Sequence, residues 1–220
     1  MKIRCAIFDF DGTLFDSMYV WDTAAERYLR SLGKDPAPTV REEVRTMSLH
    51  QAAEYLKDGY ALSLTAEEIV AGINRVVEQA YLHDVQPKAG AAAFLDALKA
   101  GGVSLCIATA TDRYLIEAAL RRCHMDSYFD AVFTCSEVGS GKNEPAIYRE
   151  AMAHFHADRE QTLIFEDAIH AVQTAKADRF RVVAVSDPSE TRQAELRRIS
   201  DFYLESYENA EDFRKFASAL

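Results

Sequence analysis

The chain has 220 residues, 49% of them hydrophobic and 27% charged, which is enough to bury a full core without disulfides or structural metals. That balance excludes disordered and fibrous classes, and no apolar run approaches the roughly 20 residues of a membrane-spanning helix. A net charge of −10 without a clustered basic stretch excludes general nucleic-acid binding, so an anionic ligand has to be received by a few local cations or a metal.

The first predicted element is a strand. Ile3 to Phe8 is a short apolar run ending in Asp9-Phe-Asp-Gly-Thr, which reads as a buried strand feeding a glycine turn. The acids at Asp9 and Asp11 arrive before a signal-peptide core can form, and the expected location is the cytoplasm. Cys5, Cys106, Cys123 and Cys135 lack the paired spacings of zinc or redox motifs and read as reduced, structural thiols.

From Ser17 to His83 the signals are helical, and no strand is predicted. Trp21, Ala25, Tyr28, Leu29 and Leu32 form one apolar stripe, with Gly33 placed to end the helix. Ile69, Ile73, Val76, Val77 and Ala80 form a second. Capping-box pairs at Thr39 and Glu42, Ser48 and Gln51, and Thr65 and Glu68 mark helix starts. Four helices in a small bundle follow from these signals, with the stripes as bundle core and the whole unit inserted after the first strand.

Downstream, apolar runs at Val103 to Ala108, Ala131 to Thr134, Leu163 to Phe165 and Val182 to Val185 alternate with helical patterns at 91–100, 113–122, 145–155, 168–177 and 189–199. That rhythm predicts an α/β architecture, a parallel sheet with helices on both faces.

Polar residues gather where these strands end. Asp9 and Asp11 are two apart in extended chain, which puts both carboxylates on one side, at the strand ends that form the ligand crevice of open parallel sheets. Thr109 ends one run, Glu166 and Asp167 another, and Lys142 lies in the loop Gly139-Ser-Gly-Lys-Asn-Glu-Pro before a helix. Four acids, a hydroxyl and a lysine therefore converge on one rim. His154 and His156, two apart on a predicted helix, point to different faces and do not make a zinc site. Cys123-His124, near a helix end, reads as packing and capping. Tyr19, Trp21, Arg45, His50 and Lys57 could face a ligand or pack within the bundle, and His170 follows the acidic pair without an assigned role.

The segment Asp9-Phe-Asp-Gly-Thr-Leu-Phe-Asp-Ser resembles the DxDGT signature of the haloacid dehalogenase superfamily. Thr109 matches its second motif, Lys142 its third and Glu166-Asp167 its fourth, in order and on matching elements. The resemblance implies a Rossmann-like core over residues 1–15 and 84–220, with a four-helix cap over 16–83 that gates the site from hinges near Phe15 to Ser17 and Asp84 to Lys88. It implies magnesium, held by Asp9, Asp167 and the backbone carbonyl of Asp11 with Glu166 beside them, either as a further ligand or just behind the ligands, because a carboxylate approaches an anionic phosphate only when a hard cation screens the two. Asp9 is then the nucleophile that forms an aspartyl-phosphate and Asp11 the proton carrier, while Thr109, Ala110 and Lys142 hold the phosphoryl oxygens.

The implied activity is hydrolysis of a small-molecule phosphomonoester, a sugar phosphate or phosphoglycolate-like compound, by a monomer or weak dimer. A β-phosphoglucomutase-like isomerase and a non-catalytic, ligand-binding regulator are the alternatives. Mutases of this kind carry a basic-Gly-x-Ser-Arg pattern in the cap, whereas this chain has Arg45-Thr-Met-Ser-Leu, and they place a histidine where Trp21 stands. The fourth motif also departs, with Ala168 and Ala171 where relatives often have serine and glycine, and Asn143 stands where proline is common after the lysine.

Overall fold

The apolar run at the start of the chain forms β1 (Cys5–Phe8), buried at every position. The computed structural model describes residues 3–44, 47 and 49–220. After β1 a tight turn leads into β2 (Phe15–Asp16) and then into α1 (Met18–Ser31), α2 (Val40–Val44), α3 (Leu49–Gly59) and α4 (Ala66–His83). Contacts divide the chain into two compact units, Ser17–Asp84 and the combination of Met1–Asp16 with Val85–Leu220.

Within Ser17–Asp84, α4 starts at a capping box in which Thr65 accepts from the Glu68 amide and the Glu68 carboxylate accepts from the Thr65 amide, satisfying two donors that a helix end leaves open. At the end of α1, the Gly33 amide reaches Arg30 O and the Lys34 amide reaches Leu29 O. The buried face of α1 is Val20, Ala24, Ala25, Tyr28 and Leu29, which corrects the predicted stripe at both ends. Trp21 is 42% exposed and Leu32 39% exposed. A 3.6-residue period gives the direction of an apolar face but not how far along the helix that face is covered: Trp21 and Leu32 point the same way as the buried residues but stand in the first turn of α1 and at its C-cap, while Val20 and Ala24 widen the buried arc on one side. The Trp21 indole N–H instead donates to the Tyr81 hydroxyl at 3.1 Å. Gly72 on α4 lies against the Tyr28 ring of α1, which a Cβ at that position would overlap. The predicted Ser48 cap and Arg45 lie outside the described residues.

The chain leaves the helices through β3 (Gln86–Pro87), which pairs antiparallel with β2, Phe15 opposite Pro87 and Asp16 opposite Gln86. Then follow α5 (Ala91–Ala100), β4 (Ser104–Thr109), α6 (Arg113–Arg122), β5 (Ala131–Thr134), α7 (Cys135–Val138), α8 (Ala146–His154), β6 (Thr162–Glu166), α9 (Ile169–Ala177), β7 (Arg181–Val185), α10 (Gln193–Ile199), β8 (Phe202–Leu204) and α11 (Glu211–Ala219). Six strands form one parallel sheet in the order β5-β4-β1-β6-β7-β8. With β1 central, both carboxyl-terminal neighbours of Asp9 are fixed by register: Phe8 pairs with Ile107 on β4 and with Phe165 on β6.

The two faces of β1 differ in what covers them, as the period of two in a strand requires. Cys5 and Ile7 join Ile147, Tyr148 and Ala151 of α8 and Val172 of α9 in one apolar cluster. On the other face Phe8 stacks on Phe165 at 4.1 Å between ring centroids, and Phe94 of α5 meets Phe165 edge-on at 5.6 Å and Phe213 of α11 at 4.9 Å. Among the described residues no helix is long and apolar enough to cross a membrane.

Candidate active site

Asp9 follows directly from the buried end of β1, and its amide donates to Phe165 O at 2.9 Å, so the register with β6 holds it in place. Beyond it the chain must reverse within four residues. Gly12 supplies the left-handed turn with φ of 73°, its amide donates to Phe15 O, and the amides of Leu14 and Phe15 both return to Phe10 O. This turn fixes Asp9, Asp11 and Thr13 against the ends of the neighbouring strands.

Three carboxylates meet there. Oxygen atoms of Asp9, Glu166 and Asp167 all lie within 4.8 Å of one another, and all three residues are buried. Lys142, from the loop before α8, places its ammonium 2.6 Å from Asp9 Oδ1 and 2.6 Å from Glu166 Oε1. Glu166 also accepts from the Tyr148 hydroxyl at 3.2 Å, and its second oxygen accepts from the amides of Asp167 and Ala168. Four donors thus hold this carboxylate in one orientation and, through it, hold Lys142. Asp167 Oδ1 accepts from the Thr13 hydroxyl at 2.7 Å, while the carbonyl of Thr13 accepts from the buried Tyr207 hydroxyl at 3.0 Å.

The electrostatics follow from burying three acids around one ammonium. Burial pushes the Asp9 carboxyl up to about 8 from 3.8, the attraction of Lys142 opposes this, and Glu166 and Asp11 push the same way as burial. Asp167 is raised well above the ordinary carboxylate range by burial and then by the charges of Glu166 and Asp9. Burial works against the Lys142 ammonium, but the carboxylates of Asp9 and Glu166 outweigh it and hold its pKa well above the usual value. The cluster therefore carries a shortage of positive charge, and its donors are all hard carboxylate oxygens. That chemistry fits a small divalent cation such as magnesium and does not suit a soft thiolate-seeking metal.

Beside the carboxylates, Thr109 ends β4 fully buried and Ala110 next to it is exposed. The Thr111 amide donates to Thr109 Oγ1 at 3.1 Å, and the Thr111 hydroxyl donates to Asp11 Oδ2 at 2.6 Å. The structure thus joins Asp9, Glu166, Asp167 and Lys142 by direct contact or close approach, and reaches Asp11 and Thr109 through Thr111. Other candidates take part in packing: His154 lies edge-on to Phe133 and Phe155, and Arg27 lies over the Tyr19 ring.

Several residues at or near the site were not read from the sequence. Thr111 stands two residues past Thr109, as Asp11 stands two past Asp9, a spacing that could have flagged it. Tyr148 sits on the buried stripe of α8, where an aromatic that packs and an aromatic that also donates look alike. Lys88 and Asp187 form an ion pair of 2.7 Å, with Asp187 only 2% exposed and the ammonium also donating to Ser186 O. Asp187 follows the end of β7, and the rule that singled out Asp9, Thr109 and Glu166 at strand ends applies to it equally.

The sequence profile of the haloacid dehalogenase-like hydrolases matches residues 6–185. Over 175 residues the chain is 23% identical to the phosphorylated carbohydrates phosphatase of Thermotoga maritima, covering 80% of this chain and 81% of that protein. Over 193 residues it is 28% identical to a Drosophila melanogaster protein provisionally named a pseudouridine-5'-phosphatase, covering 85% and 83%. The crystal structure of a Thermotoga maritima protein provisionally assigned as a β-phosphoglucomutase has the same fold, with a TM-score of 0.85 at 21% identity over 97% of this chain and 99% of that one.

Proposed function

The chain belongs to the haloacid dehalogenase-like hydrolases, and from that premise we propose that it is a magnesium-dependent phosphatase that hydrolyses small phosphomonoesters, sugar phosphates in particular, through an aspartyl-phosphate on Asp9. The observation that carries this reading is the buried Asp9 carboxylate at the end of β1, ion-paired to Lys142 and clustered with Asp167 and Glu166. The sugar-phosphate class is supported by the name of the Thermotoga maritima relative.

Asp9, Asp167 and the backbone carbonyl of Asp11 would hold magnesium, with Glu166 beside them. Bound there, the cation supplies the positive charge that lets a carboxylate approach an anionic phosphate and that offsets charge on its oxygens. Asp9 attacks phosphorus in line as the ester oxygen departs, and Asp11 gives that oxygen a proton. In the second half Asp11 takes a proton from water, which attacks the aspartyl-phosphate, releases phosphate and restores Asp9. Thr109 and the Ala110 amide hold phosphoryl oxygens, and Lys142 places its ammonium where their charge accumulates. The helical unit Ser17–Asp84 acts as a cap that gates access and reads the alcohol portion of the substrate.

The test is phosphate release from a panel of sugar and nucleoside phosphates, with magnesium and after its removal, in wild type and Asp9→Asn. Magnesium-dependent release that is lost in Asp9→Asn is expected; full activity in the variant or with chelator would count against the reading. The same assay separates hydrolysis from a mutase, in which isomerised sugar exceeds free phosphate.

A further inference from the structure

We propose that Thr111 is a positioning residue for the proton-transfer step, setting the direction of the Asp11 carboxyl toward the ester oxygen. This rests on the phosphatase reading above. A side chain two bonds from the backbone, such as Asp11, has rotational freedom that a proton donor has to lose before the transition state, and a misdirected carboxyl transfers its proton poorly even when it is near. Thr111 removes that freedom. Its hydroxyl donates to Asp11 Oδ2 at 2.6 Å, and Thr111 is itself fixed, only 8% exposed, with its amide bound to Thr109 Oγ1.

The geometry couples two tasks in one short loop. Thr109 belongs to the strand that faces the phosphoryl group, and Thr111 reaches from the same turn to the residue that serves the leaving oxygen. With Oδ2 accepting from the Thr111 hydroxyl, the Asp11 carboxyl is turned by a fixed hydrogen bond, and the proton exchanged with substrate is passed from that carboxyl. As the bond between phosphorus and the ester oxygen breaks and the bond between Asp9 and phosphorus forms, that proton passes to the departing oxygen, which leaves as a neutral alcohol, and Asp11 is left as carboxylate. The charge this creates on Asp11 is met by the hydroxyl that already donates to it.

An aim-setting role predicts a dependence on the leaving group that a structural role does not. An alkyl phosphate, such as a sugar phosphate, needs its alcohol protonated as it leaves. The p-nitrophenyl ester does not, because its phenolate is stable as an anion. The ratio kcat/KM covers steps only through aspartyl-phosphate formation when departure of the alcohol is irreversible, so it isolates this half-reaction from water attack.

The experiment compares kcat/KM for the best sugar phosphate and for p-nitrophenyl phosphate in wild type, Thr111→Val and Thr111→Ser. Valine keeps the branched shape and removes the donor. Thr111→Val is expected to lose about tenfold on the sugar phosphate and about twofold or less on the p-nitrophenyl ester, with Thr111→Ser restoring most of the difference. Retained turnover of the p-nitrophenyl ester also shows that the variant is folded. Equal losses on both esters, or no loss on either, would overturn the inference while leaving the phosphatase reading intact. Wild-type protein inert toward both esters overturns the reading and the inference together.

Discussion

Lys142 Nζ lies 2.6 Å from Asp9 Oδ1, so a buried ammonium holds the proposed nucleophile at the end of β1. The same ammonium is tied to Glu166, and its removal leaves two buried carboxylates without their partner. Lys142→Met is expected to lower kcat/KM for phosphate release by about 10² or more, since a positive charge aimed at the phosphoryl oxygens is lost. Steady-state phosphate release measures it, and activity within about twofold of wild type would remove Lys142 from the proposed mechanism.

The acidity of Asp9 ties stability to pH and to metal. Its folded-state value is raised to about 8 against 3.8 for the ordinary group, first by burial. A raised carboxyl contributes stability that is complete below the unfolded value and is lost as the pH climbs through the folded one. A cation among the carboxylates opposes this loss, because it takes the place of protons. The rise in melting temperature on adding magnesium is therefore expected to be larger near pH 9 than near pH 6, roughly either side of the raised value, and Asp9→Asn should flatten the pH dependence in chelator. Melting curves with magnesium and with EDTA would show it, and a magnesium effect that shrinks with rising pH would contradict it.

Lys88 and Asp187 offer a test away from the chemistry. With side chains 17% and 2% exposed, the pair is largely removed from water. Lys88→Met leaves a buried carboxylate that, among the described residues, keeps the donors from Ser189 alone, and is expected to cost about 1–3 kcal/mol in urea denaturation. Adding Asp187→Asn to that variant should recover part of the loss. A double variant as unstable as the sum of the singles would mean the two residues act independently.

Gly72→Ala reverses the usual expectation for a helix. Alanine is ordinarily the better helix former by about 1 kcal/mol, yet here its methyl would overlap the Tyr28 ring. Overpacking of this kind costs about 1–3 kcal/mol, so the net change is expected to be destabilising by thermal or chemical unfolding. Pairing it with Tyr28→Val should lose less than the two changes summed, and a stabilised Gly72→Ala would show that the ring moves aside freely.

What the sequence discloses depends on how local the cause is. β5 was predicted over the residues it occupies, and α5 and α6 likewise, because an apolar run or a helical stripe bounded by glycine and charge is a local signal. The small β2–β3 ladder was not foreseen, since Phe15-Asp and Gln86-Pro become strands only by meeting across the whole insertion. Nor were β8 and α11: a three-residue strand is too short to show a period, and Phe213 of α11 meets Phe94, Phe165 and Phe202 only in the fold. At the rim the charged members were legible because charges at strand ends need a reason. Tyr148 and Thr111 were not, because a hydroxyl states its purpose only when its acceptor is in view.

The pairing of Phe15 with Pro87 and of Asp16 with Gln86 brings the two places where the core is interrupted side by side, joined by their own hydrogen bonds. A core closed off in this way does not depend on the length or content of what lies between. If those helices read the substrate as proposed, exchanging them for others would change recognition while leaving the carboxylates on the sheet where they are, so selection could act on recognition and on chemistry separately.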